Sequence, residues 1–271
     1  MDNFFTFNRV TFIGFGLINS SLARVFKSKS LAKEICAYSR RKETLLKIKD
    51  LDIADYIYDD IKKSVENSDL IILGVPVGAM TSLVKEFASS LKKGAIVTDV
   101  GSIKKSILDS ISLELPNGIH FVPGHPIAGT ENSGPEAGFE DLFKGRWCIL
   151  TPNDNTSKEA IEKVEYIWQQ AGMKVTIMDA EYHDRVLAIT SHIPHLVAYS
   201  IVGTVTDLED QLKTEVIKYS AGGFRDFTRI AASDPVMWRD VFLNNSDAVL
   251  EMLGRFIEDL TALQKSIRWK D

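Results

Sequence analysis

Val10-Thr11-Phe12-Ile13-Gly14-Phe15-Gly16-Leu17-Ile18-Asn19-Ser20-Ser21-Leu22 is the stretch whose reading decides the fold. Val10 to Ile13 is a short apolar run with β character, and it ends on Gly14-Phe15-Gly16. A helical pattern follows at once, carried by Leu17, Leu22, Val25 and Phe26. A glycine pair between a strand and a helix has a physical use. The first glycine permits the tight turn, and the second lets backbone approach a pyrophosphate at the positive end of the helix. Gly14, Gly16, Leu17 and Ile18 are therefore candidate dinucleotide-binding residues. The third fingerprint position holds Asn19, followed by Ser20, so the pattern is incomplete and the helix must shift slightly to pack on the strand. A strand–turn–helix that binds nothing is the plain alternative.

Working outward, further Val-, Ile- and Phe-rich runs occupy 34–38, 70–75, 95–100, 119–122, 147–150 and 174–178. Helical spacing lies between several of them, as in Met80, Leu83, Val84, Phe87 and Leu91. Strands alternating with helices predict an α/β fold, a doubly wound Rossmann-type parallel sheet whose strands are apolar because both faces are covered. Val75 and Pro76, closing one such run, join the cofactor-binding candidates.

The pattern changes near residue 178. Asp179 suits a helix N-cap, Glu181 and Asp184 suit the positive helix end, and no convincing strand follows. Val249, Met252, Leu253, Phe256, Leu260 and Leu263 mark a long amphipathic helix. Residues 1–178 read as a dinucleotide-binding domain and 179–271 as an all-α substrate and dimerisation domain. So short a helical half, rich in apolar positions, closes its core most simply against a second copy, which predicts a homodimer.

Composition narrows the function. The 271 residues carry a net charge of −5, and no basic patch with interleaved aromatics is present, which argues against nucleic acid as partner. No apolar run comes near the length needed to span a bilayer, and Met1-Asp2-Asn3-Phe4-Phe5 lacks the features of a signal peptide. Cys36 and Cys148 fall inside apolar runs and read as buried free thiols, so a cytoplasmic location is expected.

Five constellations lie outside the fingerprint. Tyr38 is followed by Ser39-Arg40-Arg41, where an NAD-binding fold usually places an acid. Hydroxyl and guanidinium groups suit a 2′-phosphate, which favours NADP over NAD; a solvated basic turn is the bland alternative. Thr98-Asp99-Val100-Gly101-Ser102 ends a strand and puts Ser102 at the carboxyl edge of the sheet, near a nicotinamide or as a helix cap. Gly124-His125-Pro126-Ile127-Ala128-Gly129-Thr130-Glu131 holds a histidine in a loop just past a strand, where it is either structural or a proton-transfer group. Ser191-His192-Ile193-Pro194-His195 sets two histidines on one helical face, as a polar lining of a cleft rather than a metal site. Finally, Gly222-Gly223-Phe224-Arg225-Asp226-Phe227-Thr228-Arg229 joins a flexible glycine pair to two arginines suited to a carboxylate, or else to surface ion pairs.

Together these segments, with the continuation to Trp238, resemble the prephenate/arogenate dehydrogenase family of tyrosine biosynthesis over nearly the whole chain. The resemblance implies oxidative decarboxylation of a cyclohexadienyl substrate with hydride transfer to a nicotinamide. It makes His125 the catalytic base at the ring hydroxyl, assisted by Ser102, and places His195 in the substrate pocket. It assigns Arg229 to a substrate carboxylate, Glu131 and Asp226 to the pocket entrance and its ion pairs, and Trp238 to the vicinity of the partner subunit's site. Thr130, Ser191 and Gly222 complete the implied substrate-binding set. It also carries the expectation that no chorismate mutase or regulatory domain is attached. Two other readings stay open: a related two-domain NADP-dependent dehydrogenase, such as one acting on a β-hydroxyacid, and a non-catalytic NADP-binding regulator.

Overall fold

The computed structural model of the protein describes residues 6–130 and 132–270, and the chain divides into two compact units between His183 and Asp184. In the first unit, β1 (Phe7–Ile13) is flanked by β2 (Ala32–Tyr38) and β4 (Leu70–Leu73). With β3 (Tyr56–Tyr58), β5 (Ile96–Asp99) and β6 (His120–Val122) they form a six-stranded sheet of order β3-β2-β1-β4-β5-β6. Every pairing in it is parallel. The order reverses between β1 and β4, and a sheet of this kind opens its ligand crevice there, outside the carboxyl ends of the strands.

Helices α1 (Leu17–Ser28), α2 (Lys42–Asp50), α3 (Ile61–Val65), α4 (Val77–Phe87) and α5 (Lys105–Glu114) connect these strands. α1 buries Leu22, Val25 and Phe26 at its apolar spacing. The Phe26 ring meets that of Phe12 edge-on, with centroids 5.4 Å apart. Burial of each such side chain is worth about 1.5–3 kcal/mol, so this helix is fixed on β1 mainly by apolar contact.

After β6 the chain leaves the main sheet. Pro123 has no N–H with which to continue the ladder, and the next amide, Gly124, donates instead to Asp99 Oδ1 at 3.2 Å. β7 (Gly124–Pro126) then pairs antiparallel with β8 (Trp147–Leu150), which runs parallel to β9 (Lys174–Ile177) after α6 (Lys158–Gln170). Two corrections follow. The runs at 147–150 and 174–178 build a separate three-stranded sheet rather than extending the parallel one, and His125 stands in a strand rather than a loop. Pro126 is tolerated because β7 is an edge strand.

Among the described residues beyond β9 there is no strand. Asp179 caps α7 (Ala180–Leu187), its Oδ1 accepting from the Tyr182 amide at 2.9 Å. A single π turn, Ala188–His192, joins α7 to α8 (Ile193–Thr206). The turn ends two residues before Pro194, whose missing N–H removes an α-helical bond. α9 (Asp210–Lys218), α10 (Gly222–Thr228), α11 (Pro235–Asn244) and α12 (Ser246–Trp269) complete the second unit. Its core gathers Ala188, Ile193, Ala248, Val249 and Met252. The expected absence of a bilayer-length run needs correction. The continuous helix Ala180–Thr206, 27 residues long, is by length and composition apolar enough to cross a membrane. The pattern was hidden because Asp184, Arg185, His192 and His195 interrupt the run in sequence. Cys36 and Cys148 are free and buried, as expected.

Candidate active site

The cofactor end is built on the turn after β1. Gly14 has φ +82°, in the left-handed region, and a Cβ there would run into the Gly74 carbonyl and Val75 Cγ1. Gly16 occupies the cap position of α1, and a Cβ on it would meet nothing within 4 Å. The turn thus offers open space beside the amides of the first helical turn, and these residues fit the pyrophosphate of a dinucleotide. Leu17 is buried and Ile18 half-buried at the start of α1. Val75, beside Gly14, and Pro76, the cap of α4, lie just past the neighbouring strand.

Asn19 is held by backbone carbonyls. Its Nδ2 donates to the carbonyls of Gly14 at 2.8 Å, Ile72 at 3.3 Å and Ile13 at 3.4 Å. The space for it comes from Gly74, just past β4, because any Cβ there would overlap the Asn19 carboxamide. The glycine that permits close packing stands at Gly74, just past β4, instead of on the helix. Just beyond, Ser20 and Ser21 donate to the Leu17 carbonyl at 3.1 and 2.7 Å.

At the end of β2, buried Ser39 accepts the Arg41 amide on its Oγ at 3.2 Å, while Arg40 and Arg41 are exposed. Arg41 caps α2, which Lys42 opens, so the basic turn also begins a helix.

His125 is buried in β7. Its Nδ1 lies 2.9 Å from Nε2 of His183, a fully buried histidine on α7 that no motif had singled out. The signal available was its spacing: His183 shares a helix face with buried Ala180 and Leu187, while Glu181, Tyr182 and Arg185 are exposed. Ser102 is half-buried in the loop after β5. It does not cap α5, since Lys104 takes the cap position. Thr130 is exposed and its Oγ1 accepts the Asn132 amide at 3.2 Å; Glu131 lies outside the described residues.

In the second unit, His195 stacks on Trp238 with centroids 3.7 Å apart, and His192 meets the same indole edge-on at 6.0 Å. The Ser191 carbonyl lies 2.8 Å from His195 Nδ1. A carbonyl only accepts, so Nδ1 carries the proton and Nε2 of the neutral ring is an acceptor. Burial holds the His195 pKa below its ordinary value, against the opposing effect of that carbonyl. The Gly222-Gly223 pair forms the first turn of α10. Asp226 and Arg229 are exposed, and the turn Arg229–Ala232 packs against α8. No His, Cys, Asp and Glu group suited to a metal occurs among the described residues.

Comparison with known proteins agrees with this layout. The family described as prephenate dehydrogenase, nucleotide-binding domain, matches residues 22–177, and its dimerization domain matches 179–271. The chain belongs to the prephenate dehydrogenase family. It is 42% identical to the cyclohexadienyl dehydrogenase of Zymomonas mobilis over 98% of this chain and 90% of that protein. It is 34% identical to the prephenate dehydrogenase of Bacillus subtilis, over 95% and 70%. The crystal structure of Aquifex aeolicus prephenate dehydrogenase in complex with hydroxyphenyl propionate and NAD+ superimposes with a TM-score of 0.90 at 34% identity. That match covers 97% of this chain and 91% of that one. As a family member, the protein is an NAD(P)-dependent oxidoreductase that acts by oxidative decarboxylation in tyrosine biosynthesis.

Proposed function

We propose that the protein oxidises prephenate, arogenate or both, with His125 as the base that takes the proton of the ring 4-hydroxyl. The observation that carries this is the contact of His183 with His125, which stands in a strand tied to the carboxyl end of β5. With Nδ1 engaged by His183, Nε2 is the nitrogen assigned to the substrate. Gly14 and Gly16 would hold a dinucleotide by its pyrophosphate, and its nicotinamide would supply the acceptor for the hydride that leaves ring C4. His125 takes up the hydroxyl proton as the carbonyl forms. The bond to the ring carboxylate then breaks, CO2 leaves, and the ring becomes an aromatic phenolate that recovers the proton from His125. Base catalysis of this kind contributes about 10²–10⁴ in rate.

Ser102 assists at the same hydroxyl. His195, through Nε2, together with Ser191, Thr130, Glu131, Gly222, Asp226 and Trp238, serves substrate binding. Arg229 pairs with a substrate carboxylate, for which its planar fork is suited. The second unit exposes Leu250, Ile257, Leu260, Leu263 and Ile267 along α12, which supports a homodimer through the C-terminal helices. The reading of a cytoplasmic enzyme rests on its two buried free thiols.

NADP is the preferred cofactor in this reading, because a hydroxyl and two arginines follow β2 with no acid among Ser39, Arg40 and Arg41. A four-way assay of reduced nicotinamide formation, with prephenate and arogenate against NADP and NAD, tests the whole. Turnover of neither substrate refutes the proposed activity. Equal or better kcat/KM with NAD refutes the cofactor preference.

A further inference from the structure

Behind β7 lies a fully buried ion pair. Lys104 and Asp99 are both inaccessible to solvent, and the Lys104 ammonium donates to Asp99 Oδ2. It also donates to the Gly124 carbonyl at 2.8 Å. Asp99 in turn accepts the Gly101 amide at 2.8 Å on Oδ2 and the Gly124 amide at 3.2 Å on Oδ1. Both backbone groups of Gly124, the residue before His125, are therefore held by this pair. The same pair holds the backbone on either side of Ser102: Gly101 through its amide and Lys104 through its own side chain. Gly124 itself has little room to slide, since a Cβ there would stand 3.0 Å from the Asp99 carbonyl. An apolar pair of similar volume would fill this space with no charge to desolvate, so a lysine and an aspartate here need a reason beyond packing.

We propose that Asp99 and Lys104 are positioning residues that set His125 against Ser102, locking the loop after β5 to the start of β7. The proposal rests on the reading of His125 as the base. In this role the ammonium and carboxylate need touch no reacting atom. They act by fixing two backbones whose side chains must meet one substrate hydroxyl, where a displacement of about 1 Å is enough to slow a reaction 10²-fold.

The test uses the full-length enzyme carrying Asp99→Asn with Lys104→Met, which removes both charges together, and Asp99→Asn alone in case the double variant does not fold. Lys105→Met, in the exposed pair of Lys105 with Asp109, is the control. The expected result is a fall in kcat of about 10²-fold and a displaced acid limb in the kcat–pH profile. Cofactor Kd should stay within about twofold, a change worth less than the stability of one ordinary hydrogen bond. The His125 imidazole resonances should also move in the positioning variants and not in the control. A variant that lowers only the melting temperature, with kcat and the pH profile of wild type, overturns the proposal. His125→Asn separates the two readings. If it abolishes turnover while the Asp99 and Lys104 variants do not, positioning alone fails; if it retains turnover, the base itself is misassigned.

Discussion

Nδ1 of His125 and Nε2 of His183 are 2.9 Å apart, with ring planes inclined at 66°. A base at Nε2 of His125 requires the proton of the resting ring on Nδ1, and His183 then accepts it. When His125 becomes an imidazolium, the same bond becomes charge-assisted and strengthens. His183→Ala should therefore lower kcat by about 10²-fold with cofactor affinity unchanged. His183→Gln, which can supply an acceptor, should recover part of the loss. Equal rates for the two variants would remove the orienting role.

His125→Asn and Arg229→Ala should fail in different ways. The first removes the proton acceptor and should cost about 10²–10⁴ in kcat, with cofactor binding intact. The second should raise KM for the substrate strongly and leave kcat the less affected. Steady-state kinetics and cofactor titration distinguish them, and an Arg229→Ala enzyme with wild-type KM would exclude the carboxylate contact.

Gly74 and Asn19 should behave as one unit. Gly74→Ala drives a methyl group into the Asn19 carboxamide, which three carbonyls hold in place. Overpacking of this kind costs about 1–3 kcal/mol, visible as a lower melting temperature and weaker dinucleotide binding. Adding Asn19→Gly should restore much of both. Failure of the second change to compensate would mean that the two positions are not coupled.

The half-buried His195 imidazole predicts a pH dependence of stability. Its folded pKa lies below the ordinary 6.5, so between the two values the unfolded chain binds the extra proton. Stability is then complete above about 6.5 and falls as pH drops toward the folded pKa. Melting temperatures of wild type and His195→Gln, followed from pH 7.5 to 5, should show a shallower acid slope in the variant. Identical slopes would place the titration elsewhere.

The main sheet was legible because β1, β2, β4 and β5 are short apolar runs separated by helical spacing, a pattern that leaves few topologies. β3 was not, since its Tyr-Ile-Tyr sequence lies at the sheet edge and two of its three residues are exposed. β7 was hidden because Gly124 and Pro126 are residues that usually punctuate loops. Asn19 looked like a flaw in a local motif, and only Gly74, just past β4, explains it. His183 escaped because no motif surrounds it, and Asp99 was read only as part of the segment carrying Ser102; each acquires meaning from a partner distant in sequence or from the strand it holds.

The π turn at Ala188–His192 makes chain length itself a determinant of the second unit. Asn245 holds both of its sides, donating to the Asp184 carbonyl at 3.0 Å and bonding His192 Nδ1 at 3.1 Å. Deleting one residue from this turn would give an ordinary α-helix, yet it would rotate Asp184 about 100° and draw it about 1.5 Å along the axis relative to His192. Asn245 could then reach one partner but not both. A single-codon deletion here, invisible to any survey of side-chain types, is expected to be tolerated by the helix and not by the fold around it.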